Sequence, residues 1–196
     1  MVEMIKRRIR LLILKTKNKL LYSTSLFKVK SILSISLKKG VLFWRKKPRW
    51  QFAVAIIVLK LLLSTVVSLL FSFLFGAKNL INPVRDEHIL HQLFAAVLIA
   101  PLFETFLLVG LYEFLLYIQK NQYRKIISLF ITAFFFAINH FYSVPYLLAA
   151  FIMGYFYIAV YIMANKLFTD KIVNPFFLLV IIHFCTNLLS FCVNNL

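Results

Sequence analysis

The sequence predicts an all-α, polytopic membrane helix bundle with about five transmembrane helices and an N-terminal basic amphipathic segment. Three observations carry this. First, 62% of the 196 residues are hydrophobic and the mean hydropathy is +0.88, whereas soluble domains are about 45–50% apolar. Second, five apolar segments follow one another, and most reach the roughly 17–25 residues that a spanning helix needs. Third, the basic residues fall on one side of the resulting topology. Four Gly and five Pro exclude low-complexity and fibrous classes. At this length one membrane domain is expected. It covers residues 51–196, after a membrane-surface segment at 1–50.

Residues 1–50 carry 15 of the 23 Lys and Arg and one acid, Glu3. A basic tract beside a first transmembrane helix marks the cytoplasmic side, so anionic lipid is the expected partner and nucleic acid is not. Met1 to Leu21 reads as a basic amphipathic helix. Ile5, Ile9, Leu12, Ile13 and Leu20 fall near one face, and Lys6, Arg7, Arg10 and Lys17 fall on others. Such a helix lies in the headgroup region. No cleavable signal peptide is evident, and residues 23–40 have no firm pattern. Trp44 and Trp50 bracket Arg45-Lys46-Lys47-Pro48-Arg49 as an interfacial anchor.

The expected spans are Gln51–Phe75, Leu90–Ile118, Ile126–Tyr142, Tyr146–Ala164 and Pro175–Val193. Lys60 in the first is expected to snorkel to the cytoplasmic interface. With the N-terminus inside, the loop at Lys120, Arg124 and Lys125 and the loop 166–173 also fall inside. The loop 76–89, where Asp86 and Glu87 balance Lys78 and Arg85, falls outside. An integral protein of the plasma membrane with a cytoplasmic N-terminus follows. Cys185 and Cys192, seven residues apart on one helix, would be separated by about 10 Å along the axis, too far to pair.

Against this background Glu104, inside the apolar run from Leu90 to Ile118, stands out. A charge at the bilayer centre costs roughly 2.5–3.5 kcal/mol even on lenient scales, so it needs a partner or a task. His140 near the end of the third span, and His183 and Asn187 on the fifth, are the candidates. His183 and Asn187 are four apart and share a helix face. Counted at ~1.5 Å per residue from the inner boundary, the four groups lie at heights between about 12 and 22 Å. Glu113 lies nearer the inner interface, as a charge within reach of Lys120 or Arg124. Glu with His is a general-base pair for activating water, and a second His with an amide can stabilise the oxyanion formed at an attacked carbonyl. Hydrolysis of a peptide bond within the membrane fits these four groups.

The order and spacing of the motifs resemble the CPBP intramembrane proteases, which include CAAX proteases and bacteriocin-processing (Abi) enzymes. Members carry Pro-x-x-Glu-Glu-x-x-x-Arg-Gly, then Phe-x-x-x-His, then His-x-x-x-Asn on successive membrane helices. Here the three read Pro101, Glu104, Thr105, Val109 and Gly110; Phe136 and His140; and His183 and Asn187. Thr105 and Val109 stand where the family has its second Glu and its Arg. The resemblance implies an intramembrane endopeptidase acting on membrane-associated, prenylated or leader peptides. Glu104 and His140 would activate the water, and His183 and Asn187 would form the oxyanion hole. It implies no cofactor. Zinc bound by Glu104, His140 and His183 is the alternative. The alternative function is a non-catalytic bacteriocin self-immunity protein on the same scaffold.

Overall fold

The structure, a computed structural model, describes residues 43–80, 88–168 and 174–195. The expected helix over Met1–Leu21, the segment 23–40 and the loop charges Arg85, Asp86, Glu87 and Lys171 lie outside the described residues. Every regular element among the described residues is helical. They are α1 (Arg49–Phe75), a short 3₁₀ turn (Ala77–Leu80), α2 (Ile89–Ile118), α3 (Arg124–Ile138), α4 (Val144–Leu167) and α5 (Pro175–Asn195).

Four of the five helices, α1, α2, α4 and α5, are long and apolar enough to cross a membrane. The third differs from expectation. It stops at Ile138, so α3 has 15 residues and a length of about 22 Å, short of the ~30 Å hydrocarbon core. Asn139 and His140 form the turn that ends it, and Asn139 bonds its own side chain back to the Phe135 carbonyl. Ser143 then caps α4 by accepting from the Tyr146 N–H at 3.1 Å, and Pro145 sits in the first turn, where a missing N–H costs nothing. This tight turn holds His140 on the protein side rather than inside a regular span.

Leu62, Val66, Leu69 and Phe73 of α1 are exposed in a row, as are Phe103 and Phe106 of α2. In water such a surface would be a liability; in a bilayer it is the lipid-facing wall. The buried set is enriched in small residues. Ser128 and Thr132 of α3 lie four apart and fully buried, and Ala150 and Gly154 of α4 are buried as well. Small side chains let membrane helices approach closely, and α3 with α4 is the most extensive helix pair. The approach is closest at Gly154, where a Cβ would lie 2.9 Å from Phe136 Cδ1.

α1 packs on α4 and α5, and α5 also packs on α2. At the end that carries Arg49, Lys120, Arg124 and Lys166, the Arg49 guanidinium lies 5.5 Å over the Phe168 ring, against which Phe52 packs edge-on. Glu113 takes a partner other than the expected basic loop residues: the Tyr161 hydroxyl on α4 donates to its Oε1 at 3.0 Å. At the opposite end Gly76 ends α1 in a left-handed conformation, φ +85°, which favours glycine. The hydroxyl of Ser143 donates to the Asn79 carbonyl there and ties the 3₁₀ turn to α4.

Candidate active site

The first feature of the site is a flaw in α2. Residues Leu93–Ile99 run as a π-helix, and the Ala100 N–H reaches back five residues to the Ala95 carbonyl. In the same register the next residue would bond to the Ala96 carbonyl. That residue is Pro101, which has no N–H. The orphaned Ala96 carbonyl is taken by Asn187 of α5, whose Nδ2 donates to it at 2.9 Å. A side-chain amide has two N–H groups, so one remains for other use. The π-helical turn, a recurrent feature of functional sites, thus follows from one proline and fixes one site residue.

Glu104 lies on the next turn, half-buried. Its Oε1 is 3.3 Å from His140 Nε2 and its Oε2 is 3.5 Å from His183 Nε2. Glu104, His140, His183 and Asn187 all line one cavity of about 490 Å³, so all four residues singled out in the sequence come together. Each carboxylate oxygen therefore faces an imidazole nitrogen, which lowers the cost of holding it at this depth.

The outer nitrogens of the imidazoles decide where the protons are. His140 Nδ1 is 2.8 Å from the Phe136 carbonyl. A carbonyl only accepts, so Nδ1 carries a hydrogen. In a neutral ring Nε2 would then be a bare lone pair facing a carboxylate oxygen. A hydrogen bond across this 3.3 Å contact needs one further proton, on either Glu104 Oε1 or His140 Nε2. His183 is the complement. Its Nδ1 is 3.3 Å from the Thr105 hydroxyl, and its Nε2 faces the acceptor Oε2, so Nε2 carries the hydrogen and Thr105 donates to Nδ1. Each ring also lies on an aromatic: His140 on Phe136 and His183 on Tyr157, both with centroids 4.3 Å apart. Tyr157 is held in turn by its hydroxyl, 3.3 Å from Thr186 Oγ1.

Three residues of this arrangement were not foreseen. Thr105 is fully buried and orients His183, so the position where the resemblance expects a second acid still carries a group that bonds the site. Tyr157 is the floor beneath His183. Lys60 does not snorkel to the interface: it is 8% exposed and lines the cavity together with Glu104 and His183. Its neighbours on that wall, Ser64, Val67 and Ser68, follow at helical spacing, and this stripe was the available signal. Val109 packs in the core. Among the described residues no group of three or more His, Cys, Asp or Glu side chains is arranged to hold a metal ion; the two imidazoles face different oxygens of one carboxylate.

A family model described as Rce1-like, type II CAAX prenyl endopeptidase, matches residues 86–189, just over half of the chain. The matched stretch contains Glu104, His140, His183 and Asn187. No curated protein and no solved structure matches the chain.

Proposed function

The chain belongs to the Rce1-like family of type II CAAX prenyl endopeptidases, a protease family, and on that premise we propose that this integral membrane protein is itself an active intramembrane endopeptidase that uses Glu104 and His140 to activate water. The observation that carries the proposal is the 3.3 Å approach of Glu104 Oε1 to His140 Nε2 on the wall of a cavity shared with His183 and Asn187.

The steps follow from the groups present. With the shared proton on His140, Glu104 is a carboxylate, and its Oε2, only loosely held at 3.5 Å by His183, is free to take a proton from water. The oxygen of that water bonds to the scissile carbonyl carbon as the carbonyl becomes an oxyanion. The second N–H of Asn187 and the Nε2–H of His183 donate to the oxyanion. Removal of a single donor of this kind costs about 10²–10³ in kcat in a well-studied protease. The Glu104–His140 pair then returns a proton to the departing nitrogen as the C–N bond breaks, leaving one carboxylic acid and one amine. No step passes through a metal.

The substrates we propose are membrane-associated peptides, prenylated or carrying a leader. We place the basic end of the bundle on the cytoplasmic side, with residues 1–50 against anionic lipid. Purified protein is offered a farnesylated peptide ending in Cys-aliphatic-aliphatic-X and, separately, an unprenylated leader peptide, with products read by mass. At least one is cleaved by the wild type and neither by Glu104→Gln or His140→Ala. Cleavage by both variants refutes the mechanism. Bacteriocin protection that survives Glu104→Gln supports the non-catalytic alternative.

A further inference from the structure

Lys60 is used by no step above. It lies on α1, 11 residues from the start of the helix at Arg49, about 17 Å along the axis, which is the depth of the catalytic groups. It is 8% exposed and lines the same cavity as Glu104 and His183. Among the described residues it makes no ion pair or hydrogen bond, and both Glu104 oxygens face imidazoles. The residue is enclosed while its ammonium opens onto the cavity, and a charge so placed without a counter-ion is costly.

The cavity has a direction. At one end it is lined by Leu80, Tyr142, Tyr146 and Asn195, which belong to the turns and helix ends away from the basic loops. Toward the basic end the lining stops on α1 at Lys60, on α4 at Tyr157 and on α5 at His183. A peptide lying along the cavity from the Tyr142 and Asn195 end therefore reaches Lys60 last, together with Glu104, Tyr157 and His183. Lys60 stands at that end of the lining as a compact positive charge with three donors and no acceptor. Among the groups of a peptide main chain, only the C-terminal carboxylate has the complementary charge.

We infer that Lys60 is a binding residue for the free C-terminal carboxylate of the substrate. This deepens the endopeptidase reading and rests on it. Ser64, one turn above Lys60 on the same wall, already donates to the Leu61 carbonyl and is not needed for the charge.

The test separates the two claims. Two fluorescent peptides ending in farnesyl-Cys-Val-Ile-Met, one a free acid and one a C-terminal amide, are titrated into detergent-solubilised Glu104→Gln protein and followed by anisotropy. The acid should bind about tenfold or more tighter, the size of one charge-assisted hydrogen bond. The preference should disappear when Lys60→Met is added. That change removes a buried charge and should leave the thermal melt unchanged or raised. Equal affinities, or no binding by either peptide, overturn the assignment from the Glu104→Gln protein alone. So does a preference that survives Lys60→Met, and so does restored tight binding by an amide whose last residue is Glu, which would assign Lys60 to acidic side chains. Wild-type protein is assayed for cleavage in parallel. If it cleaves neither peptide while the Lys60-dependent preference holds, the endopeptidase reading fails and the carboxylate site stands.

Discussion

Thr105→Val removes one hydroxyl from a fully buried position and keeps the shape of the side chain. In the wild type the hydroxyl donates to His183 Nδ1 across 3.3 Å. Without it, that nitrogen is buried beside two methyl groups. Leaving a buried polar atom unsatisfied costs about 1–3 kcal/mol. Moving the hydrogen from Nε2 to Nδ1 recovers nothing, since an N–H beside methyl groups is equally unsatisfied; it also turns a lone pair toward Glu104 Oε2 and removes the His183 donor, leaving only Asn187 for an oxyanion. Either outcome harms the site. Groups that orient a catalytic or metal-binding imidazole typically contribute 10–100-fold, so kcat/KM for peptide cleavage should fall by about that factor. The loss should lie mainly in kcat, because the donor matters most when charge develops on the oxygen. Thr105→Ser, which keeps the hydroxyl, should restore most of the activity. A fluorogenic peptide assay in detergent micelles measures both variants. Thr105→Val within twofold of wild type, or Thr105→Ser as impaired as Thr105→Val, refutes the orientation of His183 by this hydroxyl.

Further outcomes follow from the same geometry. Gly154→Ala places a Cβ about 2.9 Å from Phe136; the displaced ring carries His140 with it, and we expect a loss of roughly 1–3 kcal/mol in stability, the usual cost of overpacking, together with reduced kcat, read by thermal melt and steady-state kinetics. Pro101→Ala supplies the missing N–H to the Ala96 carbonyl and competes with Asn187 for it; the oxyanion donor loosens, and kcat should drop by about tenfold or more with KM little changed. In the proposed mechanism one proton serves Glu104 and His140, so kcat/KM should be bell-shaped in pH: a second proton at low pH removes the base, and loss of the shared proton at high pH removes the acid for the departing nitrogen. Dialysis against a strong chelator should leave cleavage unchanged, and its loss with recovery on added zinc would require a metal-based step.

What could be read from the residues alone depended on cost. Glu104, His140, His183 and Asn187 are conspicuous in apolar runs because each is expensive there, and the structure brings all four to one cavity. Lys60 was equally conspicuous but misdirected. A lysine stem is long enough to reach an interface or an interior, and α1 is apolar nearly all round, so its periodicity does not say which side is protected. Thr105 was overlooked because a hydroxyl in a span ordinarily bonds its own helix, as Thr65 does with the Leu61 carbonyl. The Tyr161–Glu113 bond joins residues 48 apart, and no local pattern encodes such a partner. The early end of α3 at Ile138 depends on the turn through Asn139 and Ser143, whose polar side chains offered a boundary signal that the apolar flanking residues obscured. Pro101 carried the cause of the π-helical turn, but which acceptor it would orphan depends on the register, and that is settled by packing against α5.

Isotope incorporation offers the most direct test of water activation by Glu104. A substrate peptide is incubated in H₂¹⁸O with wild-type and Glu104→Gln protein, and the new C-terminus is weighed. Wild-type product should carry one ¹⁸O in its carboxylate, and the Glu104→Gln reaction should yield no product above background. Product formed equally by both proteins, or wild-type product without the heavy oxygen, would contradict hydrolysis by a water held at Glu104 and His140.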